Sequence, residues 1–164
     1  MAAYELIGMP LGHSMSKQVH EALGAYRYHL HELPNEQAVA KYLQKRQFKG
    51  CNVTIPYKQT VMPLCDFVDE RATRIGAVNT IVNQNGLLHG YNTDYDGLNQ
   101  LLVAGNIRLT NRIVLILGTG GTSKTTRAVA ADAGAAAILV ARRHPLPGQI
   151  PHEQAAKSQD APAS

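Results

Sequence analysis

Residues 113–123 read Ile-Val-Leu-Ile-Leu-Gly-Thr-Gly-Gly-Thr-Ser. Five consecutive apolar residues suit a strand buried on both faces of a parallel sheet. Glycines 118, 120 and 121 follow at once, and an alanine-rich helical stretch runs from Thr125 to Gly134. A second apolar strand, Ala137 to Ala141, ends in Arg142-Arg143. Strand, glycine turn, helix and strand make a βαβ unit. Glycines at such a turn let backbone approach a phosphate, because no Cβ intervenes and the helix start offers N–H groups and a positive dipole end. A tight structural turn would use the same glycines, and it is the position between a buried strand and a helix that favours the phosphate. An acidic residue at the end of the second strand would suit the ribose hydroxyls of NAD. Guanidinium groups stand there instead and suit a ribose 2′-phosphate, so the cofactor expected is NADP. A surface basic pair is the plainer alternative.

Charge agrees with this placement. The chain of 164 residues has a net charge of +4. Residues 1–104 carry nine Lys/Arg and nine Asp/Glu, so the whole excess lies in residues 105–164. There is no Lys/Arg-rich run and aromatics are 5%, which argues against a nucleic-acid partner. No apolar run approaches the roughly 18 residues of a membrane span, and the N-terminus does not read as a signal peptide. Cys51 and Cys65 form no CxxC pair, so neither a disulfide framework nor a metal site is expected and a cytoplasmic setting is. His29 and His31 read as surface or packing residues.

Upstream, Tyr4 to Gly8, Tyr28 to Leu33 and Gly50 to Ile55 read as strands. Two helical patterns separate them. One follows Ser14 and Ser16, with Val19, Leu23 and Tyr26 on one face; the other opens at Pro34-Asn35, with Val39 and Leu43. This alternation predicts a mostly parallel α/β sheet. Asp69 to Ile75 reads as a short helix. Asn85-Gly86, between Thr80–Asn83 and Leu87–Tyr91, signals a hairpin. Leu98, Leu101 and Leu102 lie on a helix to Ala104, and a boundary is expected at Gly105 to Arg112. The division expected is a domain at 1–104, a βαβ unit at 105–143 and a flexible tail at 144–164.

The N-terminal part also holds polar residues that packing does not explain. Ser14 and Ser16 precede a helix, where at least one is expected to cap it. Asn52 and Thr54 fall on one side of a strand, and Lys58 follows it. Asn79, Asn92 and Asp94 occupy turns, where Asn and Asp are commonly structural. Taken singly, each has that plain reading.

Taken in order, Gly8-Met9-Pro10 with His13-Ser14-Met15-Ser16, Gly50 to Lys58, Ile75 to Thr80, Asn92-Thr93-Asp94 and Gly118 to Gly121 resemble the shikimate dehydrogenase family, from Tyr4 to about Arg143. The resemblance implies a substrate-binding catalytic domain followed by a Rossmann domain that binds NADP. It implies reversible, NADP-dependent reduction of 3-dehydroshikimate to shikimate, in aromatic amino acid and chorismate biosynthesis. By motif, Ser14, Ser16 and Thr54 would serve the substrate carboxylate, and Asn52, Asn79 and Asp94 the ring oxygens. Lys58 and Asp94 would form the catalytic pair, Lys58 protonating the alkoxide as NADPH delivers hydride to the ketone carbon. Gly118, Thr119, Gly120, Gly121, Thr122 and Ser123, with Arg142 and Arg143, would bind the cofactor.

Lys17 stands where the family often has Pro, and threonines replace the more usual alanines of the glycine turn. Family members are longer, so this chain is read as a shortened member with only the first βαβ of an incomplete Rossmann domain. That unit would expose apolar surface near Ile113 to Leu117 and Ile138 to Val140. It would pack on the first domain, join another copy through its sheet edge as a homo-oligomer, or stay marginally ordered. The alternatives in function are a non-catalytic module that binds shikimate or quinate, and a quinate-using relative.

Overall fold

The computed structural model describes residues 3–151 and 154–155. It divides into two compact units, residues 1–93 and 94–164. The first unit is built on a six-stranded sheet in the order β2-β1-β3-β5-β6-β4. Its strands are β1 (Ala3–Gly8), β2 (Tyr28–Glu32), β3 (Phe48–Val53), β4 (Phe67–Val68), β5 (Thr80–Gln84) and β6 (Leu87–Tyr91). β1 runs parallel to β2 and to β3, as crossover helices α1 (Ser16–Leu23) and α2 (Glu36–Lys45) require. The β5–β6 hairpin pairs antiparallel, and β4 joins β6 in parallel. The hairpin turns on Asn85 and Gly86, both at positive φ, the geometry an Asn-Gly pair tolerates.

One face of this sheet holds the main core. Ile7, Cys51, Val53 and Ile81 of the strands meet Val39 and Leu43 of α2, with Phe48, Val61, Val78 and Leu88. α2 is capped by Asn35, whose side chain accepts from Ala38 N at 2.9 Å. α3 (Glu70–Ile75) is capped by Asp69 and ends at Gly76, which is left-handed at φ 73°. The opposite face carries a smaller cluster of Leu6, Leu11 and Tyr28. Burial pushes the Cys65 thiol up to about 11 and the Cys51 thiol further, so both are protonated packing groups at neutral pH.

Helix α1 departs from its expected role. Val19, Leu23 and Tyr26 are exposed, and no residue of the helix is buried. It is held instead by polar and ring contacts. His20 stacks on Tyr28 with centroids 4.0 Å apart, Glu21 accepts from Tyr28 N, and Lys17 donates to Tyr28 O. The residue preceding the helix is Met15, with no side-chain cap. Ser14 Oγ accepts from Ser16 N at 3.2 Å, which serves the first helical N–H rather than the second or third.

The second unit contains α4 (Asp94–Ala104), β7 (Ile113–Leu117), α5 (Gly121–Asp132), β8 (Ala137–Arg142) and β9 (Ile150–Pro151). Its sheet, β7-β8-β9, is parallel throughout. Two expectations change here. The division falls after Thr93 rather than after residue 104, because α4 packs on α5, with Tyr95 Oη donating to Asp132 at 2.6 Å. Part of the expected tail is structured: Ile150 and Pro151 pair with Ala141 and Arg142, a strand too short for sequence periodicity to register. The rest of the tail, residues 152–153 and 156–164, lies outside the described residues. Among the described residues no helix is long and apolar enough to cross a membrane.

Candidate active site

Parallel strands leave their connecting loops at the carboxyl edge of a sheet, where ligands of α/β proteins commonly bind. In the first unit the loops after β1 and β3 are tied together at that edge. Thr54 N donates to Ile7 O at 2.9 Å, and Met9 N donates to Ile55 O at 3.0 Å. This close approach demands glycine at position 8. A Cβ there would lie 2.4 Å from Thr54 Cγ2 and 3.1 Å from the Ile55 carbonyl oxygen. Ser14, on the loop that enters α1, and Ser16, the first residue of α1, are half-buried, and Thr54 is half-buried just past β3. Ser14 Oγ accepts a backbone N–H, which leaves its own O–H to donate.

Asn52 and Asn79 are joined by one polar network. Asn52 Nδ2 donates to Thr80 Oγ1 at 3.2 Å, and Thr80 Oγ1 donates to Asn79 Oδ1 at 3.1 Å. Asn79 Oδ1 also accepts from Thr93 N at 2.8 Å, and Asn79 Nδ2 donates to Thr93 Oγ1 at 3.1 Å. At the other end the Tyr28 hydroxyl donates to Asn52 Oδ1 at 2.6 Å. The backbone locks Asn79 into place as well: Val53 N donates to Asn79 O, and Asn79 N to Tyr91 O. Lys58 is half-buried at the same edge, its carbonyl accepting from Val78 N at 2.8 Å. Tyr57 before it is buried and donates its hydroxyl to Leu33 O. Asn92 has the structural role its turn suggests, donating to Ala77 O at 2.9 Å.

The fold thus brings Asn52 and Asn79 into contact through Thr80 and ties Thr54 to the loop that leads to Ser14. Asp94, the remaining proposed site residue of the N-terminal motifs, opens α4 in the second unit. Tyr28, Thr80 and Thr93 were not singled out by sequence. Both threonines sit inside quoted motifs, next to the residues they hold. Tyr28 is 24 residues from Asn52 and carries no local signal.

In the second unit Gly118 has φ +107° and an open space where a Cβ would stand, and Gly120 is equally open. Gly120 precedes α5 with no side-chain cap, and the first turn of α5 has no acidic residue. Thr119 is exposed; Gly121, Thr122 and Ser123 form the first turn, with Thr122 O accepting from Thr126 Oγ1. Gly118 N donates to Ala141 O at 2.8 Å, so the glycine turn adjoins the end of β8, where Arg142 is half-buried and Arg143 exposed. Uncapped N–H groups, missing Cβ atoms and guanidinium groups fit the phosphates of a dinucleotide.

A family model for the shikimate dehydrogenase substrate binding domain matches residues 6–81. The NADP(+) shikimate dehydrogenase of Clostridium beijerinckii is 38% identical over 150 residues, covering 87% of this chain and 56% of that protein. Shikimate dehydrogenase 1 from Peptoclostridium difficile superposes with a TM-score of 0.84 at 34% identity, over 92% of this chain and 58% of that one. The shikimate 5-dehydrogenase of Thermus thermophilus, solved with NADP(H) and shikimate, gives 0.79 at 35% identity, over 88% and 57%. An α/β domain with its polar residues gathered at the carboxyl edge of the sheet has them where ligands of α/β proteins commonly bind. More particularly, residues 6–81 match the shikimate dehydrogenase substrate binding domain, and most of the chain is similar to shikimate dehydrogenases. The chain spans about half the length of the curated relatives it matches.

Proposed function

We propose that this chain binds shikimate and 3-dehydroshikimate and takes part in their NADP-dependent interconversion. The observation that carries this reading is the Asn52–Thr80–Asn79–Thr93 network at the carboxyl edge of the first sheet. A polyhydroxylated ring needs several fixed donors and acceptors, and amides held at both ends supply them without reorganisation. The hydroxyls of Ser14, Ser16 and Thr54 meet the ligand carboxylate, and α1 contributes its positive end, which has neither a side-chain cap nor an acidic first turn.

Lys58 is the proton donor to the ring oxygen that gains charge, since an ammonium both stabilises an alkoxide and protonates it. Asp94 is the carboxylate partner that the family motif assigns. Gly118, Thr119, Gly120, Gly121, Thr122 and Ser123 would hold the cofactor pyrophosphate, with Arg142 and Arg143 for the 2′-phosphate. The chemistry supplied by a bound nicotinamide is hydride transfer. The second unit, a partial Rossmann domain in this reading, holds the cofactor, and the setting is cytoplasmic.

The test mixes the purified chain with shikimate and NADP and follows absorbance of the reduced cofactor. Turnover that falls by about 10² or more in Lys58→Ala supports the full reading, the scale expected for losing general acid catalysis. Shikimate binding by calorimetry without turnover identifies a binding module instead. Binding of neither ligand refutes both.

A further inference from the structure

We propose that Tyr28 is a positioning residue for Asn52, setting which way its side-chain amide faces and so which ligand group it recognises. The directions of the hydrogen bonds in the network set which atom of Asn52 faces which neighbour. A backbone N–H cannot reverse, so Thr93 N, 2.8 Å away, fixes Asn79 Oδ1 as acceptor. Thr80 gives its one hydroxyl proton to Asn79 Oδ1 at 3.1 Å. Thr80 then has only lone pairs left for Asn52, whose Nδ2 donates to it at 3.2 Å. Asn52 Oδ1 then faces Tyr28.

Tyr28 is suited to closing the far end. It is 1% exposed, and its ring is clamped between the Leu6–Leu11 cluster and the stacked His20, which is itself 2.8 Å from Tyr26 Oη through Nδ1. Burial pushes its phenol well above the ordinary range, so it remains a hydroxyl donor at physiological pH. Its hydroxyl occupies one lone pair of Asn52 Oδ1, and Thr80 takes one N–H. Asn52 offers a bound molecule its second N–H, hence a donor, and selects an oxygen able to accept. A ring hydroxyl or ketone oxygen meets that demand.

This inference rests on the reading of Asn52 as a contact to the shikimate ring, and the test separates the two. Tyr28→Phe deletes one oxygen and leaves the ring stack. Shikimate and a deoxy analogue lacking one ring hydroxyl are titrated calorimetrically into the unaltered chain and the variant. The Asn52 side-chain NH₂ signals are followed by NMR, assigned by their loss in Asn52→Asp. Tyr28→Phe is expected to weaken shikimate about tenfold, the loss of one hydrogen bond to a fixed group. The deoxy analogue with the greatest loss in the unaltered chain should then bind within about twofold of shikimate, and the NH₂ signals should shift. Thr80→Val should act in the same direction, and it carries the test should Tyr28→Phe fail to fold. Unchanged NH₂ signals, or shifted signals with unchanged discrimination, overturn the positioning role. Shifted signals in a chain that never binds shikimate overturn the shikimate reading and leave Tyr28 as the residue that orients Asn52.

Discussion

Asp66 shows how much one side chain can organise from the surface. Both of its oxygens accept from Arg46, at 2.8 and 3.0 Å, and Oδ2 also accepts from Leu88 N at 2.7 Å. Arg46 reaches on to the Gly86 carbonyl, so one ion pair ties the end of α2, the approach to β4 and the hairpin turn. Arg46 and the Leu88 N–H hold the Asp66 carboxyl below its ordinary value of 3.8. A carboxylate whose folded value is depressed stabilises the fold fully above its unfolded value, and that contribution disappears as pH falls through the folded value. Asp66→Asn should therefore melt below the unaltered protein by a constant margin from pH 7 to about 5, and the margin should shrink below about pH 4. A margin independent of pH down to about 2 would refute a role for the charge. Single residues also mark what a sequence discloses. Asn52, Asn79 and Lys58 stand out in sequence only through the motifs that contain them, since each taken singly has a plain structural reading. Tyr28 does not, because nothing near it in sequence signals that its partner arrives from β3.

Whole elements follow the same division between local and distant causes. The β5–β6 hairpin was legible because Asn85 and Gly86 carry their own geometry. α2 was legible for its cap and for Val39 and Leu43, which fall on one face. The cap is testable. Asn35→Ala removes the acceptor for Ala38 N and should cost about 1 kcal/mol, lowering the melting temperature by roughly 3–5 °C. Asn35→Ser should recover most of it, because a hydroxyl can accept the same N–H. Equal losses in both variants would mean the cap contributes nothing. α1 resisted the same reasoning. Its apolar spacing is real, but the sheet face beneath it presents Tyr28 and backbone polar groups, and Lys17, His20 and Glu21 answer them. Periodicity identifies which residues share a face; it does not identify what that face meets. β4 and β9, two residues each, exist only through strands already formed beside them.

At the scale of the molecule, buried apolar mass is unevenly shared. The first unit concentrates large buried side chains such as Ile7, Leu43, Ile81 and Leu88 on one sheet face. The second buries chiefly smaller ones, Val129, Ala130, Val140 and Ala141, with Ile116. Its β7 strand leaves Ile113 and Leu117 67% and 70% exposed. The sequence predicted exposed apolar surface on both strands of this βαβ unit. That holds for the ends of β7; in β8, which α5 and β9 adjoin, Ile138 and Leu139 are half-buried and Val140 is buried. α1 adds Val19 and Leu23, which are 49% and 82% exposed. Exposed clusters of this kind bind hydrophobic reporter dyes without unfolding. The folded chain should therefore enhance the dye's fluorescence under native conditions. The pair Ile113→Glu and Leu117→Glu should remove part of that signal, and Leu23→Glu a further part. None should shift stability by more than about 0.5 kcal/mol, because none of these side chains is packed in the core. Native protein that leaves the dye dark would show these faces to be covered in solution. Variants that lose the signal and the fold together would show that β7 is packed more deeply than its exposure indicates.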